Sequence, residues 1–230
     1  LAVTSAENVK VAEGVRGIRV RLIAISRPIE GDDPRRLIVL AVKTSAGKVK
    51  EKGAEYYLKH YPDEKVGMWV IAAARGFPSV LEHVVMTFLI EGCSRVCTHQ
   101  LVRHRIASYT QESQRYSAIE PSFVLPESIE RAGLGGDYLA LLEEANRLYL
   151  KALERGVPYE DARYALPQGI TSRLVMTVNL RELLHIACLR TAREAQWETR
   201  YVVSRMMEEA ARVVPEIEEA VKVYCRDGDV

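Results

Sequence analysis

Hydrophobic positions along the chain alternate between two periods, and each change of period marks a new element. "VRLIAI" (Val20 to Ile25) is rich in β-branched residues and reads as a buried strand. "DDPRRLIVLAVKTS" takes up helical spacing, with Asp33 placed to cap and Pro34 suited to the first turn. "EKVGMWVIAAARG" keeps that spacing and stops at Gly76. "VVMTFLIEG" returns to a strand, and "SRVCTHQLVRHR" follows as a helix with Ser94 as its N-cap. "GDYLALLEEANRLYLKALERG" is an amphipathic helix ending at Gly156, and "YEDARYAL" is a short helix stopped by Pro167. "SRLVMTVNL" reads as a strand, "RELLHIACLR" as a helix, and the remainder as helical to about Tyr224. Strands and helices mix without a regular βαβ alternation, so the expected class is α+β rather than a doubly wound sheet. No internal repeat or low-complexity linker divides residues 1–230, which read as a single domain.

Composition narrows the function. The chain has 230 residues, 48% hydrophobic and 27% charged, enough to bury a core without staples. A net charge of +1 argues against a protein that coats nucleic acid or an anionic membrane, so any anion site must be local. No apolar run reaches membrane-spanning length and no signal peptide stands out, which makes the cytoplasm the expected location. There is no Gly-rich dinucleotide or Walker loop, so a nucleotide would be held by side chains. Cys93 and Cys97, four apart on the predicted helix and close to His99 and His104, raise the question of zinc. With no CxxC pair and no second cluster at ligand spacing, the expectation is no metal, with Cys93, Cys97, Cys188 and Cys225 as buried free thiols.

Polar chemistry concentrates in three places. The first is "RHRIASYTQESQRYS" (Arg103 to Ser117). The predicted helix from Ser94 would bring Gln100 and His104 onto one face, with Arg103 beside them. Arg103, His104 and Arg105 also suit a helix C-terminus electrostatically. Ser108, Thr110, Gln111, Ser113, Gln114 and Arg115 then form a polar run with neither period, which favours a phosphate or nucleotide site over a solvated loop. The second is "TVNLRELLHIACLR", where Asn179 and Arg181 lie two apart and Arg181 and His185 lie four apart. Arg190 closes a helix that is apolar almost all round, and a guanidinium there needs an anionic partner, whether a ligand or Glu194 or Glu198. The third, "GFPSVLEHVV", offers Ser79 and the Glu82–His83 pair, with a helix cap and a core histidine as the plainer readings.

These residues resemble a known family. Arg103, His104, Arg105, Ser108, Ser113 and Arg115 meet the pattern RHRxxSxxxxSxR of the flavin-dependent thymidylate synthases. "SVLEH", "DARYALP", the Asn179–Arg181–His185 set and Arg190 are similar to flanking pieces of the same family, so the likeness runs from about Ser79 to Glu198. The resemblance implies helices packed on an antiparallel sheet and reductive methylation of dUMP to dTMP. Methylenetetrahydrofolate would give the carbon, and FAD reduced by NADPH would give the hydride. It implies a homotetramer with shared active sites and no covalent enzyme nucleophile. By motif position it assigns Ser79, Arg103, His104, Arg105, Ile106, Gln111, Asn179, Arg181 and His185 to FAD. It assigns Gln100, Arg103, Gln111, Glu112, Ser113, Gln114, Arg115, Arg163 and Arg190 to dUMP, with Arg190 stabilising charge on the activated uracil. Phe77 stands where the family often has histidine, Gln111 where some relatives have Glu, and Gln114 where Gly is frequent. Two other readings compete. One is an RNA-binding module that stacks bases on Tyr109 and Tyr116, which the near-zero net charge and the second cluster disfavour. The other is a flavin or nucleotide-phosphate enzyme of different chemistry on the same scaffold.

Overall fold

In chain order the elements are β1 (Lys10–Glu13), β2 (Arg19–Ile25), α1 (Arg35–Ser45), α2 (Val49–Glu55), α3 (Val66–Gly76), β3 (Val85–Ser94), α4 (Arg95–Leu101), β4 (Ala107–Gln111), β5 (Ser122–Leu125), α5 (Glu127–Arg131), α6 (Gly135–Glu154), α7 (Tyr159–Ala162), β6 (Thr171–Asn179), α8 (Leu180–Arg190), α9 (Trp197–Ala211) and α10 (Ile217–Asp227). They come from a computed structural model that describes residues 9–116 and 121–227; Ser117, at the end of the polar stretch, lies outside them. The class is α+β, as expected.

The main sheet is antiparallel, in the order β2-β3-β6-β4. Its register follows the period-2 burial of its strands. Met86, Phe88 and Ile90 of β3 and Leu174, Met176 and Val178 of β6 are all buried at alternate positions. Thr87 and Thr177, on the intervening positions, meet across the strands with hydroxyls 2.9 Å apart. A second sheet of two strands pairs β1 with β5 in parallel.

Two compact units partition the chain, and β2, β3, β4 and β6 contribute residues to both. One unit comprises the residues up to Arg19 with Ile90–Arg103 and Thr110–Leu174. Its core gathers Phe123 of β5, Leu142 of α6 and Ile170. Gly92 belongs here with φ +76, and a Cβ at that position would lie 2.1 Å from the carbonyl oxygen of Gly17, so only glycine fits. Gly156, at φ +78, ends the turn after α6 as its sequence position suggested. The other unit comprises Val20–Leu89, His104–Tyr109 and the chain from Val175 onward. Here α1 packs on α3, and α10 packs on α3 and α8. Asp33 accepts the amide of Arg35 at 2.9 Å and so caps α1 from just outside it.

Several expectations are corrected. β2 is an edge strand, so only Val20 is buried among Val20 to Ile25 and Ile23 is 51% exposed. The helix capped by Ser94, whose Oγ accepts from Cys97 N at 3.2 Å, ends at Leu101. His104 therefore does not share a helical face with Gln100, and Cys93, on β3, does not share one with Cys97. The run from Ala107 to Gln111 is a strand despite its polarity, because pairing with β6 satisfies its backbone. Cys93 and Cys97 are buried free thiols, but Cys188 of α8 and Cys225 of α10 form a disulfide across 37 residues.

Candidate functional site

The α8 end of the site is built by one cap and one short turn of sequence. Asn179 leaves β6 in extended conformation, and its Oδ1 accepts the amide of Glu182 at 2.9 Å, which starts α8. Asn179 and Arg181 thus lie on different elements, while Arg181 and His185 keep the one-turn spacing on α8. Arg181 donates through Nη1 to Glu82 at 2.6 Å.

At the other end of α8, Arg190 donates from Nε to Nε2 of buried His104 at 2.9 Å. That bond requires an unprotonated Nε2, so the neutral ring carries its proton on Nδ1. Nδ1 lies 3.8 Å from Glu182, a distance that would make an ion pair only with charged imidazolium. Burial, then the charges of Arg190 and His185, push His104 down to about 4, so the neutral form prevails. Burial also raises Glu182, against the opposing pull of His185 and Arg181. The His185 ring meets His104 edge-on at 6.4 Å. Tyr109, which the RNA reading gave to base stacking, donates its hydroxyl to the His104 carbonyl at 2.9 Å, and burial raises its pKa.

In the same unit an open groove of about 690 Å³ is lined by α1 residues, Ser79, Val80, Glu82 and His83. Ser79 and His83 lie in the 3₁₀ turn Pro78–His83 and are exposed, so His83 is not a core histidine. Arg105 and Ile106 are exposed as well.

The other unit collects most of the expected dUMP set. Gln111 donates through Nε2 to Thr98 at 3.1 Å and to Ser172 at 3.0 Å, which fixes the amide orientation. Glu112 pairs with Arg173 at 3.1 Å, and its carbonyl accepts from Arg95. Ser113 Oγ accepts the amide of Arg115 at 3.1 Å. Arg115 in turn ion-pairs with Glu160, whose carbonyl accepts from Arg163, so Glu160 gathers two of the predicted arginines. Gln114 is buried, Gln100 is half-buried and Arg103 is exposed.

Arg95 is the residue that sequence reasoning missed. Its Nε is buried with no hydrogen-bond partner. Burial and then the charge of Arg163 lower its pKa, so this guanidinium is held in partial desolvation under the field of a like charge. An anion would relieve both costs. Nothing in "SRVC" distinguishes Arg95 from an ordinary first-turn residue; its buried, unpartnered Nε does. Glu160, Glu182 and Tyr109 also escaped, because each acts on a partner remote in sequence or through a backbone carbonyl. Among the described residues no group of three or more His, Cys, Asp or Glu could hold a metal ion.

The fold is that of an α+β protein, with arginines and polar side chains gathered in each of its two units. The family described as thymidylate synthase complementing protein matches residues 27–216, and the chain belongs to that family. It is 52% identical over 143 residues to a flavin-dependent thymidylate synthase of Pyrococcus abyssi, a match covering 60% of this chain and 59% of the relative. It is 40% identical over 204 residues to the enzyme of that name from Sulfolobus acidocaldarius, covering 87% of this chain and 75% of the relative. The chain thus spans less than two thirds of the Pyrococcus relative and three quarters of the Sulfolobus one. The crystal structure of a UMP/dUMP methylase, PolB of Streptomyces cacaoi, bound with 5-Br dUMP, shares the fold. Its TM-score is 0.78 at 23% identity, over 95% of this chain and 99% of that one.

Proposed function

We propose that this protein is a flavin-dependent thymidylate synthase that methylates dUMP to dTMP. Methylenetetrahydrofolate would be the carbon donor, FAD the flavin and NADPH its reductant. The observation that carries the reading is the bond from Arg190 to His104: the motif histidine, kept neutral by burial, anchors one edge of a permanent cation at the end of a buried helix.

The residues fit the groups required. Ser79 on the open groove, with Arg103, His104, Arg105, Ile106, Gln111, Asn179, Arg181 and His185, would hold the flavin. Bound and reduced, the flavin supplies the hydride that completes the methyl group. Gln100, Arg103, Gln111, Glu112, Ser113, Gln114, Arg115, Arg163 and Arg190 would hold dUMP, and Arg95, with its buried, orphaned Nε, fits an added phosphate contact. Arg190 stabilises the negative charge that gathers on the uracil ring as it is activated, and does so without giving up a proton. His104 keeps that guanidinium in one orientation, so little reorganisation is needed when charge develops. Ser113 orients substrate through a hydrogen bond, and its Oγ engages a backbone amide rather than a general base.

The chain acts as one domain in this reading, since it passes between its two units five times. A homotetramer with shared active sites belongs to this reading, and Leu134 at the start of α6 with Leu141 and Leu148 on it, seven residues apart and 51%, 56% and 54% exposed, support self-association there. The reading includes neither nucleic acid nor membrane as a partner, which a net charge of +1 supports; among the described residues no helix is long and apolar enough to cross a membrane. The cytoplasm is its place of work.

The test is the visible spectrum of the purified protein, with the flavin released and identified. The reduced sample is then mixed anaerobically with dUMP and methylenetetrahydrofolate. Flavin oxidation with formation of dTMP is the expected result. A colourless protein that also refuses added FAD would overturn the reading.

A further inference from the structure

Glu182 is buried in the first turn of α8, where its amide is bonded to the Asn179 cap at 2.9 Å. A buried carboxylate is unfavourable unless a polar partner faces it. A glutamate at this position of a helix commonly closes a capping box by accepting the amide of the cap residue. Here its Oε1 lies 3.8 Å from Nδ1 of His104 instead. That separation exceeds a hydrogen bond, so the carboxylate acts on the ring through its field. On the far side of the ring Nε2 accepts from Nε of Arg190 at 2.9 Å. All three residues belong to the same compact unit. The sequence of groups is therefore carboxylate, neutral imidazole, guanidinium. Only one tautomer suits that sequence, with Nδ1–H toward the carboxylate and the Nε2 lone pair toward the arginine. The neighbours supply no such direction: the His185 ring meets His104 edge-on at 6.4 Å, and Tyr109 bonds the His104 backbone carbonyl.

We propose that Glu182 is a positioning residue for Arg190, acting through His104: its carboxylate selects the Nδ1–H tautomer and so keeps Nε2 open to the guanidinium. The inference rests on the reading that sets Arg190 against the activated uracil. With the proton on Nε2, a donor would face a donor, and Arg190 would lose the contact that fixes its plane. An imidazole side chain left to itself prefers the Nε2–H form, so the selection must come from outside the ring. Glu182 and Arg190 favour the same tautomer from opposite sides, and each polarises the ring in the sense that strengthens the other's contact. The guanidinium is then aimed before substrate arrives, and little reorganisation remains as charge develops on the uracil.

The experiment reads the ring nitrogens of His104 by nitrogen NMR at neutral pH in protein labelled at histidine, with the signals assigned by their loss in His104→Gln. The wild type is expected to carry the proton on Nδ1. Arg190→Ala should keep that tautomer, because Glu182 still holds it, and adding Glu182→Leu should turn the ring to Nε2–H. Nε2–H in the wild type or in Arg190→Ala overturns the proposal, and so does Nδ1–H retained in the double variant. The Arg190→Ala spectrum leaves Glu182 in place, so it decides the matter even where Glu182→Leu fails to fold. In turnover, Glu182→Leu should lower kcat about tenfold, whereas Glu182→Gln, which keeps an acceptor oxygen, should lose no more than about threefold. In an Arg190→Ala background Glu182→Leu should add little further loss. Equal losses in the Leu and Gln variants, or a full loss that persists without Arg190, would show a role in α8 itself and overturn the proposal. A wild type that makes no dTMP takes down the proposed function and this inference together, whereas one that makes dTMP with His104 in the Nε2–H form overturns this inference alone.

Discussion

Arg190 gives its Nε–H to Nε2 of His104 at 2.9 Å, although 86 residues separate them in the chain. The bond exists only while the imidazole is neutral, so the protonation state of one residue decides the anchoring of the other.

The pH dependence of folding follows from that pair. Unfolded, His104 titrates near its ordinary value of 6.5; folded, it titrates at about 4. Above pH 6.5 neither state binds the proton and stability is unaffected. As pH falls from 6.5 to 4, the unfolded chain takes up a proton that the folded one refuses, and stability drops by an amount on the order of 3 kcal/mol. Thermal unfolding across this range should show the fall, and His104→Gln should flatten it. An equal slope in that variant would assign the effect to other groups.

Arg190→Ala separates the two ligands. The variant should keep its flavin and lose at least about a hundredfold in turnover with dUMP. The His104 resonance should titrate higher than in the wild type yet still below 6.5, because burial is the larger cause of its depression. Wild-type turnover would remove Arg190 from the mechanism.

Ser113→Ala tests whether the motif serine attacks the substrate. With its Oγ engaged by the Arg115 amide, the loss should appear mainly in KM for dUMP, and kcat should stay within about tenfold. Abolished turnover with dUMP still bound would restore a nucleophilic role.

Asn179→Ala removes the N-cap of α8 and should cost about 1 kcal/mol in unfolding measurements. Asn179→Asp should keep that stability, since a carboxylate accepts the Glu182 amide equally well. If Asn179→Ala unfolds like the wild type and only flavin binding suffers, capping is not what the residue contributes.

How much of this was legible depends on the range of the forces involved. β3, β6, α3 and α8 could be read because alternate or helical burial is written into consecutive side chains, and the Ser94 cap because capping is local. β4 could not, since "ASYTQ" owes its strand form to pairing with β6 rather than to an apolar face. The early end of α4 at Leu101 was likewise hidden, because a basic run suits a helix terminus whether or not it continues the helix. The RHR motif marked the site by resemblance, but nothing in it announces that His104 reaches Arg190, that Glu160 pairs with Arg115, or that Arg95 donates to the Glu112 carbonyl. Those are contacts between segments distant in sequence, and only the folded chain brings them together.

The bridge between Cys188 and Cys225 makes the chain from α8 through α9 to α10 a covalent circle across 37 residues. A single backbone cut anywhere inside that circle would open it without releasing a fragment. The last helix would stay tethered to the element that carries Arg181, His185 and Arg190, and re-docking after such a nick would be an intramolecular event.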